Sequence, residues 1–152
     1  MLFGSILEKC TSSLKKKLEP YRHTVEMACL LHDIGHAPMS HIGETFYDRC
    51  ELINELKEEK ITVKSDLGLH EMMSVLIGLR VFGSELKEGV NFDKDLFFRL
   101  ITGTLLNSEG CDKCKLTDVK KAIIPILYSA FDVDKMDYIM RDSSSAGIPS
   151  IE

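Results

Sequence analysis

The densest group of potential catalytic side chains lies in the segment LLHDIGHAPMSH, residues 30–41. It holds three of the five histidines of the chain, His32, His36 and His41, together with Asp33. Adjacent His32 and Asp33 at the end of a helix can point toward one centre and offer one nitrogen and one oxygen ligand. That mixture suits one divalent transition metal, such as Fe, Mn, Zn, Co or Ni. The alternative interpretation is that these polar side chains only cap and decorate a turn.

A second polar segment, FDVDKMDYIMRDS, occupies residues 131–143. On a helix its side chains form two neighbouring stripes, one with Asp134, Tyr138 and Arg141 and the other with Lys135 and Asp142. Lys135 has the point charge that meets phosphate oxygens, and Tyr138 can stack on a sugar or hydrogen-bond to it. The alternative is a solvated, ion-paired helix face, because acidic and basic residues alternate along it.

The elements that must position these residues are predicted to be helices, and the fold class is all-α in one domain over residues 1–152. Apolar residues recur at helical spacing nearly everywhere, whereas the only strand-like run is the short ITV at 61–63. Linkers are predicted at 57–67, 83–92 and 107–117, and Pro125 should break the helix that contains it. The first predicted helix runs from Thr24 to near Gly35, and the second begins at Pro38 and carries Ile42, Phe46 and Ile53. The third covers 69–82 and the fourth 93–106. The fifth follows an N-cap at Asp118, and the last covers 132–147.

Composition excludes several classes of protein. The net charge of −5 argues against broad nucleic-acid binding, although LKKKL at 14–18 is locally basic. The chain has no apolar run long enough to span a membrane and no secretory signal at its start, so a cytoplasmic location with reduced thiols is predicted. The pair Cys111 and Cys114 has zinc-knuckle spacing but no second pair to complete a four-ligand site.

The complete string HDIGHAPMSH resembles the signature of the HD-domain phosphohydrolases. More narrowly, it is similar to the branch that contains bacterial dGTP triphosphohydrolases and the SAM- and HD-domain deoxynucleotide triphosphohydrolase. DVDKMDYIMRD is similar to the last signature of that branch. The resemblance implies a metal held by His32, Asp33 and Asp134. It also implies a nucleotide pocket lined by Lys135, Tyr138 and Asp142.

Between the two signatures the resemblance places a catalytic His-Glu pair, which GLHEMMS at 68–74 supplies as His70 and Glu71. The resemblance further implies that His41 contacts the bridging oxygen of the substrate and that His36 stabilises charge in the transition state. Glu44 falls where the family commonly has an acidic residue that orients a histidine. These are positioning and electrostatic roles at a phosphorus centre.

The match to this family is incomplete at the N-terminal side. The family's first metal ligand is an upstream histidine in a segment resembling R-F-x-H-S, whereas residues 1–31 contain only His23, in no such motif. The expectation is therefore a partial HD domain, an HD-domain helical core without the N-terminal helix that carries that ligand. Three protein ligands are a workable catalytic shell, as zinc enzymes show.

The sequence thus predicts a metal-dependent phosphohydrolase acting on nucleotides, releasing a deoxynucleoside and triphosphate from a deoxynucleoside triphosphate. Two alternatives stay open. One is an HD phosphohydrolase with another phosphate ester as its substrate, and the other is a truncated, weakly active or inactive binding or regulatory module. The expected partners are a nucleotide and a second copy of the chain, because an incomplete domain exposes apolar helix faces.

Overall fold

The computed structural model describes residues 2–51, 53–54, 68–83, 91–103, 116–128 and 133–148, and within those ranges it contains helices and turns but no strand. The all-α prediction is confirmed. The α-helices are α1 (Leu2–Lys9), α2 (Ser12–Leu18), α3 (Arg22–Leu31), α4 (Leu69–Arg80), α5 (Lys94–Thr102), α6 (Asp118–Ile123) and α7 (Val133–Ser145). Segments of 3₁₀-helix cover Glu19–Tyr21, Ser40–Arg49 and Ile124–Ile126.

Helix α5 is the centre of the core. All of its residues from Leu96 to Thr102 are buried, so it packs against neighbours on every side. Helices α3 and α4 pack on it and on each other, and α1 covers α3. The apolar side chains that fill this core include Leu7, Val25, Ala28, Met72, Val75, Leu96, Phe97, Leu100 and Ile123. Removing this apolar area from water is the main stabilising contribution to such a fold.

Charged side chains fix the N-terminal end of α5. The Asp93 carboxylate accepts a hydrogen bond from the backbone N–H of Leu96, which makes Asp93 the N-cap of α5. Lys120 of α6 lies 2.6 Å from an Asp93 oxygen and 3.5 Å from an Asp95 oxygen. The buried Arg99 pairs with Asp95 at 2.9 Å, so its guanidinium is compensated inside the core.

Most predicted helices are confirmed, with shifted ends. The break at Pro125 is confirmed, since the 3₁₀ segment Ile124–Ile126 follows α6 directly. The predicted N-cap of α6 at Asp118 is wrong, because Thr117 has the extended backbone of a cap and its hydroxyl accepts from the Lys120 N–H. Asp118 is instead the first helical residue, where its charge still favours the positive end of the helix dipole.

The predicted helix after Pro38 is wrong in type. Met39 and Ser40 both adopt positive φ, which reverses the chain. The ten residues of Ser40–Arg49 are 3₁₀ rather than α. Because the 3₁₀ repeat is three residues, His41 and Glu44 line up on one side of the segment. Ile42 and Phe46, predicted to belong to an apolar helix, are 76% and 78% exposed.

Several sequence predictions lie outside the described residues, namely the strand candidate at 61–63, most of the three linkers, and the pair Cys111 and Cys114. Helices α1 and α2 were not predicted as separate elements. Among the described helices none combines the length and apolar character that crossing a membrane requires.

Candidate active site

The end of helix α3 orients the first candidate metal ligand. His32 follows the last residue of α3, and its Nδ1 lies 2.9 Å from the backbone carbonyl oxygen of Cys29. A carbonyl oxygen can only accept, so the Nδ1–H of His32 donates this bond. In the neutral ring the other nitrogen, Nε2, carries the lone pair. Metal-binding histidines are typically held by a hydrogen bond of this kind from the nitrogen that does not bind the metal.

The lone pair of His32 faces two carboxylates. Nε2 is buried, forms no hydrogen bond with any residue in the described ranges, and lies 3.4 Å from Asp33 Oδ2 and 3.8 Å from Asp134 Oδ1. An imidazole lone pair and two carboxylates repel one another unless a cation lies between them. We call these three residues the metal cluster, and their ligand atoms lie within 4.8 Å of one another. One nitrogen and two oxygens fit a divalent metal such as Mn or Fe.

Asp134 belongs to the metal cluster although it is distant in sequence from His32 and Asp33. It lies in the first turn of α7, whereas His32 and Asp33 follow α3. Only the tertiary structure brings the carboxylate of Asp134 to the imidazole of His32. The three metal ligands implied by the sequence are therefore adjacent in space.

A second group surrounds the buried carboxylate of Glu44. Its Oε1 lies 2.6 Å from Nδ1 of His41, 3.0 Å from Nδ1 of His70 and 3.9 Å from Nδ1 of His36. The rings of His36 and His70 are stacked, with centroids 4.2 Å apart and planes 10° from parallel. We call His36, His41, Glu44 and His70 the histidine cluster, and their potential ligand atoms lie within 4.8 Å of one another.

Glu44 is ionised at neutral pH despite its burial. Burial raises the pKa of this carboxyl, whereas the hydrogen bonds and charges of His41 and His70 lower it. Together the two histidines outweigh burial, so the pKa lies below its ordinary value. Only 8% of the residue is exposed. A buried carboxylate of this kind holds two imidazole N–H groups in fixed directions.

The metal cluster and the histidine cluster touch each other. His36 Nε2 lies 3.6 Å from Asp33 Oδ1, while the opposite ring nitrogen, Nδ1, is buried without a hydrogen-bond partner among the described residues. The two clusters therefore form one continuous surface, or wall, of titratable side chains. A phosphate placed against this wall would meet metal ligands at one end and imidazoles at the other.

A close backbone contact sets the distance between the two motifs. The N–H of Gly35 donates to the hydroxyl of Ser74, on α4, at 2.8 Å. A Cβ at Gly35 would overlap the carbonyl oxygen of His70 and the backbone nitrogen of Ser74. Glycine is thus required here for its lack of a side chain, and it lets α4 bring His70 against His36.

Glu71 has different partners from the other predicted catalytic residues. One of its oxygens accepts from the backbone N–H of Gly68 at 2.6 Å, which caps α4, and the other accepts from the Tyr128 hydroxyl at 2.7 Å. Burial and the nearby Glu71 carboxylate raise the pKa of Tyr128 to about 12. Both oxygens of Glu71 thus stabilise the start of the helix that carries His70.

The predicted substrate-binding residues follow Asp134 along α7. Lys135 is half-buried, whereas Tyr138 and Asp142 are exposed, one and two helical turns beyond Asp134. His23 is half-buried in α3, with its ring at 74° to that of Phe92, and it belongs to neither cluster.

Sequence reasoning missed Ser74, Tyr128 and the Cys29 carbonyl. Ser74 did carry a signal, since it is a polar residue four positions after His70 on the face of α4 that also holds buried Met72 and Val75. Tyr128 carried none, because its partner Glu71 lies 57 residues away in the chain.

Comparison with known proteins gives one family and two kinds of relative. A family model described as HD domain matches residues 4–139, which include both clusters. An uncharacterized protein of Mycoplasma pneumoniae is 30% identical over 130 residues, which are 85% of this chain and 26% of that protein. Deoxyguanosinetriphosphate triphosphohydrolases of Yersinia enterocolitica and Serratia proteamaculans are each 56% identical over 32 residues, 21% of this chain and 6% of the enzyme.

The chain thus spans about a quarter of the length of the Mycoplasma relative, and its match to the two enzymes is confined to a short stretch. No solved structure matches the chain significantly.

Proposed function

This chain belongs to the HD domain family, and from that premise we propose that it is a metal-dependent phosphohydrolase of nucleotides. The reaction proposed is hydrolysis of a deoxynucleoside triphosphate to the deoxynucleoside and triphosphate. The observation that carries the proposal is the buried Nε2 of His32, which faces the carboxylates of Asp33 and Asp134 and has no hydrogen-bond partner in the part of the chain that the structure describes.

His32, Asp33 and Asp134 would hold the metal. When bound, a divalent ion at such a site lowers the pKa of a water ligand and neutralises phosphate charge. The Nδ1–H bond of His32 to the Cys29 carbonyl fixes the imidazole in the tautomer that presents Nε2 to the ion. Asp33 is more than half exposed, so its carboxylate is accessible to a ligand from solvent.

The histidine cluster supports a role in proton transfer to the leaving group. When the bond from phosphorus to the deoxynucleoside oxygen breaks, that oxygen takes up a proton. Glu44 holds the Nδ1–H groups of His41 and His70, so their Nε2 atoms are the ring nitrogens left to exchange a proton with substrate. His36 stacks on His70 and its Nε2 lies 3.6 Å from Asp33 Oδ1, which supports a proposed position between the metal and the leaving group.

The substrate class is supported by the charge and position of the residues on α7 and by sequence similarity. Lys135 follows the proposed metal ligand Asp134 directly, where its ammonium group can meet phosphate oxygens. Tyr138 and Asp142 lie further along the same helix and would contact the nucleoside. The 32-residue similarity to deoxyguanosinetriphosphate triphosphohydrolases favours a deoxynucleoside triphosphate.

A second candidate is an HD-fold phosphohydrolase with another phosphate ester, or a binding module that keeps the pocket. The observation that favours it is the small metal cluster, in which the described residues supply three ligands and leave the rest of the shell to solvent. Product identification separates the substrates, and metal stoichiometry separates an enzyme from a binding module.

The first test is the metal content of the purified protein by elemental mass spectrometry. At least one Fe, Mn, Zn, Co or Ni per chain is expected, with one equivalent lost in Asp33→Ala and none lost in Asp137→Asn, whose carboxylate pairs with Arg141 outside the cluster. Incubation of the loaded protein with each deoxynucleoside triphosphate should then release triphosphate. A chain that binds no metal after reconstitution with Mn or Fe, or one that releases only orthophosphate or pyrophosphate, would contradict the proposal.

A further inference from the structure

We propose that the histidine cluster is a second metal site, one that takes up Zn²⁺ and not Mn²⁺. His36, His41 and His70 would each contribute a ring nitrogen, and Glu44 a carboxylate oxygen. The binding site itself is argued from its own geometry. Its consequence for hydrolysis rests on the function proposed above.

Measured from Glu44, the three imidazoles lie close to the spacing of a tetrahedral zinc site, and the stacked rings of His36 and His70 would separate on binding so that both face the ion. With Zn–N and Zn–O bonds of about 2.0–2.1 Å, the ligand atoms of such a site lie about 3.4 Å from one another. The distances from Glu44 Oε1 to the Nδ1 atoms of His41, His70 and His36 are 2.6, 3.0 and 3.9 Å, on either side of that value. His41 has a side chain that is 75% exposed, so it can shift by about an ångström without disturbing the core.

An unsatisfied buried nitrogen points to a ligand at this position. His36 Nδ1 is buried, has no hydrogen-bond partner among the described residues, and lies on the Glu44 side of its ring. A buried polar atom without a partner is destabilising, and most such atoms in proteins are satisfied by a neighbour, a water or an ion. A cation between His36 and Glu44 would satisfy this nitrogen.

The two clusters differ in the metal that they favour. The metal cluster offers one imidazole and two carboxylates, whereas the histidine cluster offers three imidazoles and one carboxylate. Imidazole-rich sites favour Zn²⁺, Ni²⁺ and Cu²⁺, while oxygen-rich sites accept Mn²⁺, which is the weakest binder of the first-row series. We therefore expect Mn²⁺ to fill one site and Zn²⁺ to fill two.

Zinc at the histidine cluster would inhibit hydrolysis. Coordination at Nδ1 displaces the protons that His41 and His70 donate to Glu44, so binding releases protons. It leaves Nε2 as the N–H of a neutral, metal-bound imidazole, which is a much weaker acid than imidazolium and would no longer protonate the leaving oxygen. The first equivalent of zinc, at the metal cluster, would support activity. The second equivalent would suppress it.

The test counts zinc and manganese separately, in a Cys111→Ser, Cys114→Ser background that removes the thiol pair as an alternative zinc ligand. Isothermal titration and elemental analysis should give one Mn²⁺ and two Zn²⁺ per chain.

His41→Gln should reduce zinc to one equivalent and leave manganese at one. Asp134→Asn should abolish manganese binding and also reduce zinc to one. His23→Gln, the fifth histidine, is the matched control and should keep both counts.

A single zinc equivalent in the background chain would overturn the second site, as would two equivalents in His41→Gln. Because these titrations contain no substrate, they are independent of the proposed reaction. A chain that binds two zinc ions but hydrolyses no nucleotide when it is loaded with manganese alone would contradict the proposed function and leave the second site standing. One that hydrolyses nucleotide with a single zinc equivalent would do the reverse.

Discussion

At the scale of single residues, the partner of each imidazole Nδ1 decides what the other ring nitrogen can do. His32 donates to a backbone carbonyl, so its Nε2 is a lone pair aimed at two carboxylates. His41 and His70 share the carboxylate of Glu44 instead. The same residue type is therefore proposed as a metal ligand in one cluster and as a proton carrier in the other.

Replacing Asp134 with Asn should weaken metal binding without unfolding the chain. Asn keeps the size of the side chain but removes the negative charge that faces His32 Nε2. Loss of an outer contact to a metal site typically reduces affinity about 10–100-fold, so loss of a ligand should reduce it by at least about tenfold. Competition titration with a chelating dye measures this affinity. Asp137→Asn, on the same helix, should bind metal as the unaltered chain does.

Replacing Glu44 with Gln should change how stability depends on pH. The folded pKa of Glu44 is lowered from 4.5, so its carboxylate stabilises the fold above pH 4.5, and this contribution is lost as the pH falls through the lowered value. Glu44→Gln should therefore lower the melting temperature at pH 7, and the difference should shrink on acidification. Calorimetry between pH 3 and 7 tests this. The exposed Glu8→Gln should show no such trend, and a constant difference for Glu44→Gln would contradict the assignment.

At the scale of elements, the turn after α3 and the first turn of α4 must approach each other at backbone distance. Gly35 supplies the space and Ser74 the hydrogen bond. Since His36 follows this turn and His70 starts α4, the same contact sets the stacking of their rings. The relative position of His36 and His70 thus depends on this close contact between a turn and a helix.

Gly35→Ala should be strongly destabilising, because the added methyl group would overlap backbone atoms of α4 that cannot move independently. Overpacking of this kind costs about 1–3 kcal/mol or more, measured as the free energy of unfolding in urea. Histidine ring NMR signals of His36 and His70 should shift as the stack opens. Gly4→Ala, where the nearest atom belongs to the flexible Arg22 side chain, should be neutral by comparison.

At the scale of the whole molecule, the metal cluster connects α7, which is largely exposed, to helices that belong to the buried core. Helix α5 is buried throughout, whereas α7 exposes Met136, Ile139 and Met140. The contact of Asp134 with His32 ties the first turn of α7 to the end of α3. A bound metal would therefore act as a cross-link between α7 and the core.

Metal binding should protect α7 selectively. Binding to the folded state stabilises it by about 2.7 kcal/mol when the free metal is a hundredfold above its dissociation constant. Hydrogen exchange should slow on metal addition in α7, which few core contacts protect, more than in α5. Chelation should reverse the effect, and Asp134→Asn should abolish it. Equal slowing in both helices would show that the metal does not bridge them.

The sequence by itself determined the helical class, the adjacency of His32 and Asp33, and the family to which the motifs belong. These features are local, because neighbouring residues and the 3.6-residue repeat appear directly in the order of amino acids. Sequence reasoning was wrong about the segment after Pro38, because two residues with positive φ turned a predicted α-helix into a 3₁₀ segment.

Only the tertiary structure decided that His70 meets Glu44, that Glu71 binds Tyr128, and that Asp134 meets His32. Each of these depends on the packing of helices that are distant in the chain. Spacing in the sequence can show that a side chain has the right chemistry. The side chain's partner is fixed only when the helices pack and water is excluded between them.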